Sequence, residues 1–213
     1  MRRIETVTES AWQWRVYTRM KRGPIIVARH GRPALNRDLG PRLSWQEYID
    51  WWAAYEAGAL EEGQTAPQGL VDVAADADLY LTSSRLRAQQ TMQKAAPGRV
   101  SEPFNVFDEA PLPPPRLNWL KLLPRNWNVL SRIVWIGGHS LDGESIREAR
   151  ARARVAAKQL HEQAAEGKVF LTAHGWFNRM LRRELRKLGW RCTHDGGDKY
   201  WAWRTYHFPS SDD

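Results

Sequence analysis

The 213-residue chain is long enough to bury a sizeable core, and 42% hydrophobic with 26% charged residues is ordinary for a globular protein. A net charge of +8 points to anionic partners (phosphates, acidic lipid surfaces or nucleic acid) without choosing among them. The single cysteine, Cys192, excludes an internal disulfide framework, and no apolar run approaches the roughly 20 residues that a membrane-spanning helix needs.

Residues 1–22 are polar and basic and read as an N-terminal extension. The start Met1-Arg2-Arg3 is followed by no long apolar stretch, so neither a signal peptide nor a twin-arginine export signal is expected. Residues 24–29 (PIIVAR) form a β-branched apolar run, read as a buried strand that ends in the turn His30-Gly31-Arg32-Pro33. Ser44 and Glu47 make a capping box, opening a helix with Trp45, Tyr48, Ile49, Trp52 and Ala53 on one face and Gly58 as its stop. Residues 61–69 read as loop. A second strand is predicted over 79–82, a helix over 85–95, and a third strand over 104–107, ended by the proline-rich loop 111–115. Pro124 can open a helix that puts Trp127, Leu130 and Val134 on one face and stops at Gly137-Gly138. Residues 144–166 read as a long basic helix stopped near Gly167, with Arg147, Arg150, Arg152, Arg154 and Lys158 on a solvated face. A fourth strand over 169–172 runs into His174-Gly175 and a helix to residue 188; a last strand is expected over 200–206.

Strands alternating with helices imply an α/β fold with a mostly parallel sheet. Ligands then gather beyond the carboxyl ends of the strands. Reactive residue types stand at those ends: Arg29-His30 after the first strand, the stretch from Ser83 to Arg87 after the second, Asp108-Glu109 after the third and His174 after the fourth. Phosphoryl transfer needs a nucleophile, cations on the equatorial oxygens and an acid for the leaving oxygen. Two arginines, two histidines and a glutamate supply all three without a metal. A guanidinium matches phosphate oxygens as a planar fork, and a nearby cation keeps a histidine neutral. A helix starting after His174 would aim its first amides at the same anion.

Five segments in order carry a resemblance to the histidine phosphatase superfamily, also called phosphoglycerate mutase-like: Arg29-His30-Gly31 with Asn36; Ser83 through Thr91, a Ser-x-x-x-Arg-Ala-x-x-Thr pattern; Phe107-Asp108-Glu109; Gly143-Glu144-Ser145; and Thr172-Ala173-His174-Gly175. The resemblance implies a three-layer α/β/α sandwich over 23–208 with an inserted helical cap from segments 37–70 and 110–142, leaving 209–213 as a tail. It implies His30 as the nucleophile that forms a phosphohistidine. Arg29, Arg87, His174 and, more weakly, Asn36 would bind phosphate, with catalytic Glu109 as acid and then base, and no cofactor. Arg32 and Pro33 stand where mutase-type members carry Glu or Gln and then Thr or Ser, which favours hydrolysis over mutase chemistry. Asp108 adjoins Glu109 and is the neighbouring choice for the acid.

Simpler readings exist for each residue taken alone: a turn for Arg29-His30, an exposed helix position for Arg87, a loop histidine for His174, a solvated carboxylate for Glu109, a turn former for Asn36. His139, His161, His194 and His207 have no motif context. Trp45, Trp51, Trp52, Trp119, Trp127 and Trp135 crowd the cap segments, and core is the first reading for them. The second is contact with an anionic membrane surface. The expected activity is a phosphoric monoester hydrolase of the histidine acid phosphatase type, cytoplasmic and at most peripheral to a membrane. Its substrate would be a phosphorylated small molecule or lipid; nucleic acid is not an expected partner. The alternatives are a phosphoglycerate mutase-type transferase, a phosphoprotein phosphatase or a phospho-ligand binding module.

Overall fold

A computed structural model describes residues 22–140 and 143–209, so the reading of residues 1–21 and of nearly all of the tail lies outside the described residues. The run IIVAR forms β1 (Ile25–Arg29), buried along its length except at its last residue. Such a strand is covered on both faces, and β1 accordingly lies inside a six-stranded sheet. The other strands are β2 (Leu79–Ser83), β3 (Glu102–Phe104), β4 (Val169–Ala173), β5 (Arg191–Asp195) and β6 (Trp203–His207), in the order β3-β2-β4-β1-β6-β5. The β3, β2, β4 and β1 neighbours pair in parallel; β6 and β5 join antiparallel.

Alternation along β1 divides the core. Ile25 and Val27 face α5 (Ile146–Gln163) and α6 (Gly175–Lys187) through Ala153, Ala156, Leu160, Phe177 and Leu181. Ile26 and Ala28 face α2 (Gln68–Ala75) and α3 (Leu86–Ala95) through Leu70, Ala74, Met92 and Ala95. The result is three layers. Each fully buried Ile, Leu or Phe contributes about 1.5–3 kcal/mol of transfer free energy. The alanines of α5 leave no bulk between helix and sheet, so that helix seats closely.

A third cluster stands apart from the sheet. Helix α1 (Trp45–Ala57) begins at the Ser44–Glu47 capping box, both halves of which form, and stops at Gly58. It packs on α4 (Pro124–Ile136) around Leu43, Tyr48 and Trp127. The Trp127 indole N–H donates to the Leu43 carbonyl (2.7 Å) and the Tyr48 hydroxyl to Asn128 (2.8 Å), which satisfies the polar ends of both buried rings. These two helices form the inserted cap. Trp127 and Trp135 are fully buried and Trp45, Trp51 and Trp52 partly so, which makes most of this tryptophan core; Trp119 is 81% exposed.

Four elements depart from the sequence reading. Helix α2 (Gln68–Ala75) was not anticipated; it begins inside the expected loop 61–69. The third strand is Glu102–Phe104, and the expected 104–107 stretch is mostly a 3-10 turn, Asn105–Phe107, because Phe107 turns down into the core. The last strand begins at Trp203 rather than at 200. Edge strand β5 was not anticipated: its sequence RCTHD is mostly exposed and carries no apolar alternation to read. No helix among the described residues is long and apolar enough to cross a membrane.

Candidate active site

The register that pairs Arg29 with Ala173 sets the carboxyl ends of β1 and β4 side by side. The ladder continues one rung further, the His30 N–H donating to the Ala173 carbonyl (3.0 Å). His30 and His174 therefore meet, with ring centroids 5.0 Å apart, and both are buried. Arg87, from the first turn of α3 after β2, bridges them. Its Nε donates to His30 Nε2 (3.3 Å) and its Nη2 to His174 Nδ1 (3.2 Å). A guanidinium can only donate, so both of those ring nitrogens carry lone pairs. The remaining nitrogens then carry the protons: His30 Nδ1 donates to the Gly31 carbonyl (2.7 Å) and His174 Nε2 to Ser83 Oγ (2.6 Å). Burial, then Arg87 and Arg29, hold the His30 imidazole well below its ordinary pKa. Burial and Arg87 do the same to His174. Both rings are neutral at pH 7, and the lone pair of His30 on Nε2 is the one able to attack an electrophile.

The segments around the two histidines hold this geometry. Thr91 Oγ1 accepts from the Gly31 N–H (3.0 Å) and donates to the Arg87 carbonyl (2.7 Å), tying the β1 turn to α3. A Cβ on Gly31 would lie 2.4 Å from the Trp201 indole, so no side chain fits there. Trp201 covers that turn from a left-handed backbone, φ 65°, which costs an L-residue about 1–2 kcal/mol. Arg29 crosses the first turn of α6, where a Cβ on Gly175 would stand 3.0 Å from its guanidinium carbon. Its guanidinium stacks 4.3 Å over the Tyr200 ring, Nη1 donates to the Asp198 carbonyl, and buried Nε has no partner.

Glu109 comes to the same cavity from beyond β3. Its carboxylate accepts from the Trp176 and Phe177 N–H groups (3.1 and 2.8 Å) at the start of α6. This corrects the expectation for those amides: they meet Glu109 rather than standing open to an incoming anion. Asp108 points elsewhere, accepting from the backbone and hydroxyl of Ser84 (2.9 and 2.7 Å) ahead of α3. Arg152 is likewise corrected. It forks onto Glu144 (2.7 Å for each bond) and donates to the carbonyls of Val106 (3.0 Å) and Asp108 (2.7 Å), pinning the segment that carries Glu109. The other four basic residues of that face are exposed.

Asn36 is not brought to the histidines. It is exposed, absent from the cavity wall, and its Oδ1 accepts from the Asp38 N–H (2.8 Å), a turn-forming role. Sequence reasoning missed Asp198 and Tyr200, Arg37 of the loop after β1, and Arg132 of α4. Six arginines (29, 37, 87, 125, 132 and 179) face three carboxylates (Asp38, Glu109 and Asp198) around one cavity of about 590 Å³. That size suits a small organic ligand rather than a bare ion. Arg132 lies between the Trp135 and Trp176 rings (4.8 and 4.6 Å), and burial lowers its pKa to about 10, so it remains a cation at neutral pH. Among the described residues no group of three or more His, Cys, Asp or Glu is placed to share a metal ion.

The description "histidine phosphatase superfamily (branch 1)" belongs to the family model that matches residues 121–195, a span that includes His174-Gly175. The chain resembles that superfamily in sequence and in fold. A mycobacterial glucosyl-3-phosphoglycerate phosphatase, solved with VO3, is 21% identical over 86% of this chain and 92% of its own, with a TM-score of 0.53. Phosphoglycerate mutase from Bacillus anthracis is 14% identical over 92% of this chain and 96% of its own, at 0.52. An Entamoeba histolytica phosphoserine phosphatase in complex with phosphoserine is 18% identical over 78% and 80%, at 0.51. These histidine phosphatase-like structures share the α/β/α fold. No curated protein matches the chain.

Proposed function

We propose that the chain is a metal-independent phosphomonoesterase that passes the phosphoryl group through His30. The observation that carries the reading is the convergence of a neutral imidazole whose unprotonated Nε2 faces Arg87, a buried arginine and a carboxyl on one arginine-rich cavity. In the first step the Nε2 lone pair attacks phosphorus. The bond from phosphorus to the ester oxygen breaks, and protonated Glu109 gives its proton to the leaving oxygen. The imidazole becomes cationic, and its Nδ1–H bond to the Gly31 carbonyl steadies that charge. In the second step ionised Glu109 takes a proton from water as the water oxygen attacks phosphorus, and the electron pair of the P–N bond returns to Nε2. Arg29 and Arg87 surround the phosphoryl oxygens through this exchange, while His174, whose one N–H goes to Ser83, positions Arg87 through its Nδ1 lone pair. The cationic wall favours the charge that develops on the oxygens. Asn36 has no part in it.

The three solved relatives act on, or are bound to, phosphorylated small molecules or an oxyanion, which supports the same ligand class here. The cavity adds a preference. Val129, Ile133 and Ile136 of α4 are spaced to share a face, line the cavity and are 62%, 62% and 47% exposed. An ester with an apolar organic part would cover them.

Glu109→Gln should lower turnover of an alkyl phosphate about 10²- to 10³-fold but an aryl phosphate, whose leaving oxygen needs less protonation, about tenfold or less. Steady-state rates with a chelator present throughout would check this. Equal losses on both esters would place the acid elsewhere.

A further inference from the structure

All five N–H bonds of the Arg87 guanidinium are taken. Besides His30 and His174, its Nη1 donates to the carbonyls of Tyr55 and Glu56 (3.0 and 2.9 Å), and its Nη2 to Glu56 Oε1 (2.6 Å). The Glu56 carboxylate is the shortest of these contacts and the charged one. Arg29, in contrast, spends one donor on a backbone carbonyl and keeps a buried Nε unpartnered. So one arginine of the site is open to an anion and the other is closed by a residue that the mechanism above does not use.

Glu56 sits one residue before the end of α1, a cap helix, and its other oxygen lies 3.4 Å from Arg85 Nε. Three of the five Arg87 donors thus end on one helix terminus: two carbonyls and one carboxylate. A shift of that last turn would release all three together. Trp52, one turn earlier, and Tyr55, the adjacent residue, line the cavity itself. Burial pushes the Glu56 carboxyl up, Arg87 pulls it down and Glu109 pushes it up further, so the ion pair is held at an electrostatic cost.

A carboxylate and a phosphoryl group offer a guanidinium the same paired oxygen acceptors and therefore compete for it. We propose that Glu56 is a specificity-determining residue: it occupies the donors of Arg87 that a phosphoryl group needs, and an ester gains them when its organic part engages Trp52 and Tyr55 and moves the end of α1. Bare phosphate makes no such contact and binds weakly. This rests on the assignment of the Arg29–Arg87 cavity to phosphate, given above.

Inorganic phosphate is the probe, with its Kd measured by calorimetry on the full chain. Glu56→Gln keeps the shape and the backbone bonds but removes the charge, and should bind phosphate about tenfold more tightly, or about 1.4 kcal/mol. Glu56→Asp draws the carboxylate back from Arg87 and should also bind more tightly; it decides the matter if the Gln variant does not fold. The KM for a small aryl phosphate should fall by a similar factor. Wild-type binding with an unchanged or weaker affinity in the folded variants would overturn the role of Glu56 alone. No phosphate binding by wild type or variants would overturn the phosphate cavity and this inference with it.

Discussion

His30→Ala is expected to lower kcat for any phosphomonoester by about 10⁴-fold or more, since the step that makes the intermediate loses its nucleophile. The loss should appear in kcat rather than KM, because Arg29 and Arg87 remain to bind phosphate. The fold should survive. His30 is a buried ring whose removal leaves the Arg87 Nε–H and the Gly31 carbonyl each short of a partner. That costs about 1–3 kcal/mol, a loss that a two-state domain of this size shows as a few degrees of Tm. A variant with native circular dichroism and more than about 1% of wild-type activity would mean that another group takes the phosphoryl.

Arg87→Met should be the most destabilising change in the site. The methionine fills much of the volume but donates nothing, and it leaves behind the Glu56 carboxylate, two carbonyls at the end of α1 and two histidine acceptors. Breaking a buried ion pair by removing one partner typically costs about 3–5 kcal/mol, and Arg85, 3.4 Å from the other Glu56 oxygen, offsets part of that. A loss of about 3 kcal/mol in urea unfolding is expected, together with at least 10³-fold in kcat/KM. Arg85→Met is the control: its side chain is 40% exposed, and pairs of that kind contribute less than about 1 kcal/mol. Equal losses in the two variants would show that the network around Arg87 is not what holds α1 to α3.

The sheet and the meeting of Arg29, His30, Arg87 and His174 were legible in the sequence for one reason. Each follows a short apolar strand, and parallel strands bring their carboxyl ends together. Glu109 rather than Asp108 was named from the resemblance and not from the local pattern, because the two are adjacent and the 3-10 turn Asn105–Phe107 before them, with Phe107 buried, is not read from the sequence. Arg152 looked like part of a solvated basic face. Its forked bond to Glu144 depends on the turn that leads into α5, a contact across eight positions that helical periodicity does not describe. Asp198 and Tyr200 were hidden by β5, a polar edge strand without alternation; the Gly196-Gly197 turn before them was the available hint. Glu56 left no signal at all. Its meaning comes from the end of an inserted helix landing on an arginine 31 positions away, which no local pattern encodes.

The most direct test is to quench the protein with an aryl phosphate during turnover and locate the phosphate by mass spectrometry under neutral or alkaline handling. An acid-labile phosphate on the peptide bearing His30, absent from His30→Ala, is the expected result. Rapid turnover with that peptide never phosphorylated, or with phosphate on another residue, would contradict the account.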